Sequence, residues 1–119
     1  MNYTAEEKSF CFAVRIVKVY KYLSETKKEY VMSKQLLSCG TSIGANIAEA
    51  QQGQSRADFI SKLGISLKEA HEANYWLRLL HATNYLTDRE FSSLFNDCQE
   101  IEKMLTSIIK SSKQNPSSR

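Results

Sequence analysis

Proline is almost missing from this chain: of 119 residues only Pro116 is one, and it stands in the terminal stretch 111–119. No interior position therefore has to interrupt backbone hydrogen bonding, and everything before the tail can be helical. Cysteine is scarce and unpaired, with Cys11, Cys39 and Cys98 forming no CxxC motif. An odd count without paired spacing argues against a disulfide framework and a metal site, and suits reduced thiols in a cytoplasmic protein. No apolar run approaches the length that spans a bilayer, so no membrane association is expected. The N-terminus, Met1 to Phe10, is acidic where a secretory leader would be basic and then apolar. Charge of one sign is nearly balanced by the other: the net charge is +3 and the pI about 8.8. That permits a nucleic-acid partner and falls short of the charge such domains usually carry.

The most informative absence is local. Between Lys34 and Glu49 the chain runs fourteen residues without a charge, although 24% of the sequence is charged. At helical spacing Leu36, Gly40, Ile43, Ile47 and Ala50 share one face, the pattern of a buried stripe. Gln35, Ser42 and Asn46 line a second face with Ser38, continued at Glu49, and Leu37, Gly44 and Ala48 fill the arc between. A single domain of this length covers one face of each helix, so a helix with no charged side predicts self-association, with Gln35, Ser42, Asn46 and Glu49 as a buried polar stripe in an oligomer. Two plainer readings stay open: a solvated face that lacks charge, and polar side chains bonded back onto their own backbone.

Helix starts are marked at Thr4-x-x-Glu7, Ser55-x-x-Asp58 and Thr87-x-x-Glu90, where a hydroxyl can cap an early N–H and a carboxylate sits at the positive helix end. Ser33 is a plainer cap for the uncharged helix. These signals predict four helices, over roughly 5–24, 33–52, 56–83 and 88–111. The expected organisation is one domain over residues 1–111 and a flexible polar tail over 112–119. Short connections, one at Gly53 and one at Asn84 to Leu86 with the asparagine as a left-handed stop, make the helices antiparallel neighbours. Folding back near Gly53 brings Gly40 level with Ser66 and Leu36 with Ala70. Small residues then face each other, and Gly40, Gly44, Ser66 and Ala70 are expected to allow a close approach of the second and third helices.

The first helix has apolar residues over more than half its circumference: Phe10, Phe12, Ala13, Val14, Ile16, Val17, Val19, Tyr20 and Leu23. Its remaining face carries Lys8, Cys11, Arg15, Lys18 and Tyr22, with no acid from Ser9 to Ser24. Lys8, Arg15, Lys18 and Lys21 are the candidates for tracking a phosphate backbone, with Tyr22 available to stack on a base. The bland reading is a solubilising charge stripe.

Catalytic constellations are hard to find. Di-iron bundles use Glu-x-x-His pairs, and the residues three before His71 and His81 are Lys68 and Arg78. His71-Glu72 begins an H-E-x-x-H motif that ends in Tyr75, leaving one histidine to hold a metal. Cys39 has no histidine partner indicated by spacing, and Glu49, Glu69 and Glu72 read as helix-surface carboxylates engaged in ion pairs or caps. No catalytic residue, cofactor or metal is expected.

Gln35-Leu36-Leu37-Ser38, the run from Ser42 to Ala50, Asp58-Phe59, the run from Ser66 to Ala70, Asn84-Tyr85-Leu86 and Lys103-Met104-Leu105 together resemble the four-helix-bundle proteins encoded in intervening sequences of bacterial 23S ribosomal RNA genes. The resemblance covers nearly the whole chain except the tail, with Ala50 standing where the family usually has glycine. It implies an all-α, up-and-down antiparallel bundle that assembles into a ring-like homopentamer, without catalytic residues, and nucleic acid as ligand. Accessory proteins of diversity-generating retroelements look similar and work with a reverse transcriptase, so that enzyme is a further implied partner. Two function classes follow: a non-enzymatic oligomer binding RNA or DNA through basic helix surfaces, and a protein-interaction scaffold or accessory subunit with no nucleic-acid contact.

Overall fold

Four helices, α1 (Ala5–Glu25), α2 (Met32–Gln51), α3 (Arg56–Ala82) and α4 (Asp88–Gln114), make up the computed structural model, which describes residues 3–114. Each helix packs on its neighbour in chain order and α4 closes back onto α1, while α1 and α3, like α2 and α4, lie across the bundle from each other. The result is an all-α, up-and-down bundle 49 × 23 × 22 Å in extent, with no strand among the described residues.

The expected caps form where hydroxyl and carboxylate are three apart. The Thr4 hydroxyl accepts from the Glu7 N–H, and the Glu7 carboxylate accepts from the Thr4 N–H. Thr87 and Glu90 exchange the same pair, and Ser55 accepts from the Asp58 N–H. Asn84 is left-handed at φ 70°; its N–H reaches His81 O and that of Tyr85 reaches Leu80 O, closing α3 in a Schellman motif.

The start of α2 departs from expectation. Ser33 does not cap it: it lies inside the helix, buried, and its hydroxyl donates backward to Glu29 O. The cap is Glu29, whose carboxylate accepts from the N–H groups of Val31, Met32 and Ser33. Only 8% of Glu29 is exposed. Burial alone would push its carboxyl up, but the bonds from Ser33, Met32 and Val31 outweigh burial and hold it below the ordinary carboxylate value. Lys28, at φ 57°, turns the chain so that Glu29 points back at the helix end.

The other end of the chain also departs. The fourth helix continues to Gln114 with Ser112 buried, three residues beyond the predicted limit. Of the predicted tail, residues 115–119 lie outside the described residues.

The core is built from one face of each helix. Leu36, Gly40, Ile43, Ile47 and Ala50 are buried along α2, Leu63, Ser66, Ala70, Ala73, Leu77 and Leu80 along α3, and Leu94, Cys98, Ile101 and Leu105 along α4. On α1 only Phe12, Ile16 and Leu23 of the predicted apolar arc are fully buried.

The glycines serve a different seam from the one predicted. A Cβ on Gly40 would lie 2.9 Å from Ile16 Cγ2, and one on Gly44 would lie 3.2 Å from Ser9 Oγ, so both receive α1 rather than α3. Between α2 and α3 the close approach is made at Ser66, whose buried hydroxyl donates to Ile43 O at 2.8 Å; Ala70 is fully buried in the core, and its carbonyl accepts from Cys98 of α4. A second acceptor role for a helical carbonyl is open to a short donor pressed against the backbone, which is why a small residue is needed at Ser66.

Candidate nucleic-acid and assembly surfaces

The basic face of α1 turns toward α4. Arg15 donates to Asp97 Oδ2 at 2.6 Å and to Ser93 Oγ at 2.8 Å, and Lys8 pairs with Glu100 at 2.8 Å and Asp97 at 3.4 Å. Lys8 is held above the ordinary lysine value, with the Glu100 bond the largest cause. Two of the four candidate cations are thus engaged in an interhelical network, whereas Lys18 and Lys21 are exposed and make no ion pair among the described residues. Asp97 and Glu100 were legible as acids three apart on α4, but matching them to Lys8 and Arg15 required the antiparallel α1–α4 register.

Toward the end of α1 the cation density continues into the loop. Lys27 sits 5.8 Å over the Tyr22 ring, and Lys28 is exposed beside it in sequence. Tyr22 forms a wall shared by two adjoining hollows. One, about 190 Å³, has Val19, Leu86 and Leu94 as its apolar lining and Arg15 and Lys18 among its polar groups; the other, about 270 Å³, is lined by Lys27, His81 and Asn84 among others.

On α2 the polar stripe is divided. Ser42 and Asn46 are half-buried and Gln35 and Glu49 exposed in the single chain. Ser42 donates to Ser38 O at 2.7 Å and Asn46 to Ser42 O at 2.8 Å, with Thr41 donating likewise to Leu37 O, so these side chains are bonded back onto their own helix. Glu49 reaches across to Lys62 at 3.3 Å.

The side of α1 that is neither core nor basic stays open. Phe10 is 70% exposed, Val14 40% and Val17 36%, at i, i+4 and i+7 on one stripe. Isolated exposed apolar residues are ordinary, and here three of them follow one another along one helix face.

Of the groups weighed from sequence, the histidines and the two buried thiols have partners, Cys11 is an exposed thiol, and Glu69 and Glu72, expected in ion pairs or caps, enter none of the ion pairs among the described residues. The thiols of Cys39 and Cys98 are buried and pushed up to about 12, burial being the main cause and the charges of Glu72 and Glu102 respectively the next. His71 Nδ1 contacts Glu102, and His81 Nε2 contacts Asp88 at 2.7 Å while its ring stacks on Phe91. Glu69 is raised above the ordinary carboxylate value by burial and then by Glu72. Among the described residues no group of three His, Cys, Asp or Glu could hold a metal, and no helix is long and apolar enough to cross a membrane.

An up-and-down bundle of this connectivity, with short capped turns and a small-residue second helix, defines the class of the protein. The family model described as 23S rRNA-intervening sequence protein matches residues 1–107, and the chain belongs to that family. Among solved structures it is similar to the crystal structure of a protein of unknown function from the S23 ribosomal protein family of Bacteroides thetaiotaomicron. The two are 60% identical with a TM-score of 0.89, over 90% of this chain and 99% of that one. Comparison with curated proteins finds no match.

Proposed function

We propose that this chain is a non-enzymatic, ring-forming homo-oligomer, a pentamer by family resemblance, that binds RNA or DNA through lysines at the α1–α2 end. The charge distribution carries the binding reading. From Lys18 to Lys34 there are five lysines (18, 21, 27, 28, 34) and two glutamates, Glu25 and Glu29, so 5 − 2 = +3, as much as the whole chain's net charge. Glu29, moreover, faces backbone N–H groups rather than solvent. Assembly is supported by the open Phe10, Val14 and Val17 stripe, and a ring would repeat a modest patch several times and gain avidity from it.

Light scattering should find a species several times the 13.6 kDa chain, and Phe10→Ser with Val14→Ser should return it toward monomer. Anisotropy of labelled RNA and DNA should show log-linear weakening with salt. Lys18→Glu with Lys21→Glu should lower the slope by about 0.7 to 0.9 for each phosphate that a chain ceases to neutralise. No binding by the parent at low salt would overturn the nucleic-acid reading.

The pairing of Lys8 and Arg15 with α4 favours the second reading, a scaffold or accessory subunit, for instance to a reverse transcriptase. In that case the oligomer forms but the labelled nucleic acids show no salt-dependent binding.

A further inference from the structure

We infer that the nucleic acid recognised is single-stranded and that Tyr22 is the platform on which one of its bases stacks, a site that rests on the binding reading above. Tyr22 is 38% exposed and stands between the two adjoining hollows at the α1–α4 seam. Neither hollow alone reaches the size of a typical small-molecule site. The floor beside the ring is apolar, from Val19, Leu86 and Leu94, which suits the flat face of a base and offers nothing to a phosphate.

Cations ring the recess rather than fill it. Lys18 borders one hollow and Lys27 the other, and Lys21, exposed, immediately precedes Tyr22 in α1. Two carboxylates share the recess: Glu90 lines both hollows and accepts from the Thr87 N–H, and Asp88 lines the second and meets His81, while Asp97 holds Arg15. The Lys27 ammonium over the Tyr22 ring shows that one ring face admits a partner from solvent. A base stacking there would release that ammonium to a neighbouring phosphate. An aromatic face set among lysines is how single strands are held without sequence readout. A duplex keeps its base faces stacked inside and could engage the lysines alone.

The test compares a short labelled oligouridylate strand with a duplex of equal length, using the full-length oligomer. Tyr22→Leu keeps an apolar side chain against Val19 and Leu86, so the fold should hold by circular dichroism. Single-strand affinity should fall by about tenfold or more, with Tyr22→Phe close to the parent. The salt slope should stay unchanged in Tyr22→Leu, because the lysines still neutralise the same phosphates, whereas Lys18→Glu should reduce it. Independently, a strand carrying 5-iodouracil should photocrosslink to the peptide containing Tyr22. Preference for duplex, a Tyr22→Leu variant that binds as the parent does, or a crosslink elsewhere would overturn the platform while leaving the binding reading in place. Absence of binding to either probe would remove both.

Discussion

Along α2 the bundle closes by direct contact of small groups: Gly40 receives Ile16, Gly44 receives Ser9, and Ser66 presses its hydroxyl onto the Ile43 carbonyl. Along the α1–α4 seam it closes through long side chains, with Lys8 and Arg15 reaching Asp97, Glu100 and Ser93, and hollows remain beside them. The helices touch least there. Close-packed seams resist change in volume, while ion-paired seams tolerate it and leave recesses in which something else can bind. The proposed recognition site therefore lies on the seam with the weaker packing.

That contrast can be broken first in the core. Leu77→Ala, at a fully buried position on α3, should cost about 2 to 5 kcal/mol in denaturant unfolding, through reduced burial and a cavity. Gly40→Leu should cost about 1 to 3 kcal/mol by overpacking against Ile16, which is buried and β-branched and has little room to yield. Combining it with Ile16→Ala should give less than the sum of the two single losses. Strict additivity would show that the glycine does not exist to receive Ile16.

Glu29→Ala should cost about 2 kcal/mol, since three backbone N–H groups lose a charged acceptor. Because the folded carboxyl lies below its unfolded value, this stability is fully present above the unfolded pKa of about 4.3 and is lost as pH falls through the lower folded value. The parent and Glu29→Gln should therefore converge in stability on acidification. A constant difference from pH 7 down to pH 2 would count against the charged cap.

On the other seam Asp97→Ala should cost about 1 kcal/mol or less, because its pairs with Lys8 and Arg15 are partly exposed, and the loss should shrink in high salt. The smallest effect should have the opposite sign. At Gly64 an added Cβ meets nothing within 4 Å, so Gly64→Ala should raise stability by about 0.5 to 1 kcal/mol through helix propensity. A loss at Gly64 as large as that at Gly40 would erase the distinction between a glycine needed for packing and one that is merely helical.

The helices and their faces were legible from the chain because period and capping are local properties. Thr4 with Glu7, Thr87 with Glu90, and the α2 stripe from Leu36 to Ala50 required no knowledge of neighbours. Glu29 escaped because it caps from outside the helix after a left-handed lysine, a residue type that does not advertise such a turn. The polar stripe on α2 was readable as uncharged, but whether Ser42 and Asn46 turn outward or back onto Ser38 O and Ser42 O depends on rotamers.

By itself the sequence determined that this protein is four helices with one buried face each, since backbone hydrogen bonding and apolar spacing act within a few residues. It also determined that α1 carries more apolar surface than a lone bundle covers and that basic residues line its other side. Which helix Gly40 receives, and which lysines remain available after Asp97 and Glu100 have taken Lys8 and Arg15, was decided only when α1 was laid between α2 and α4. Pairings between residues so far apart in the chain depend on interhelical register, and that register is set by the packing of all four helices at once.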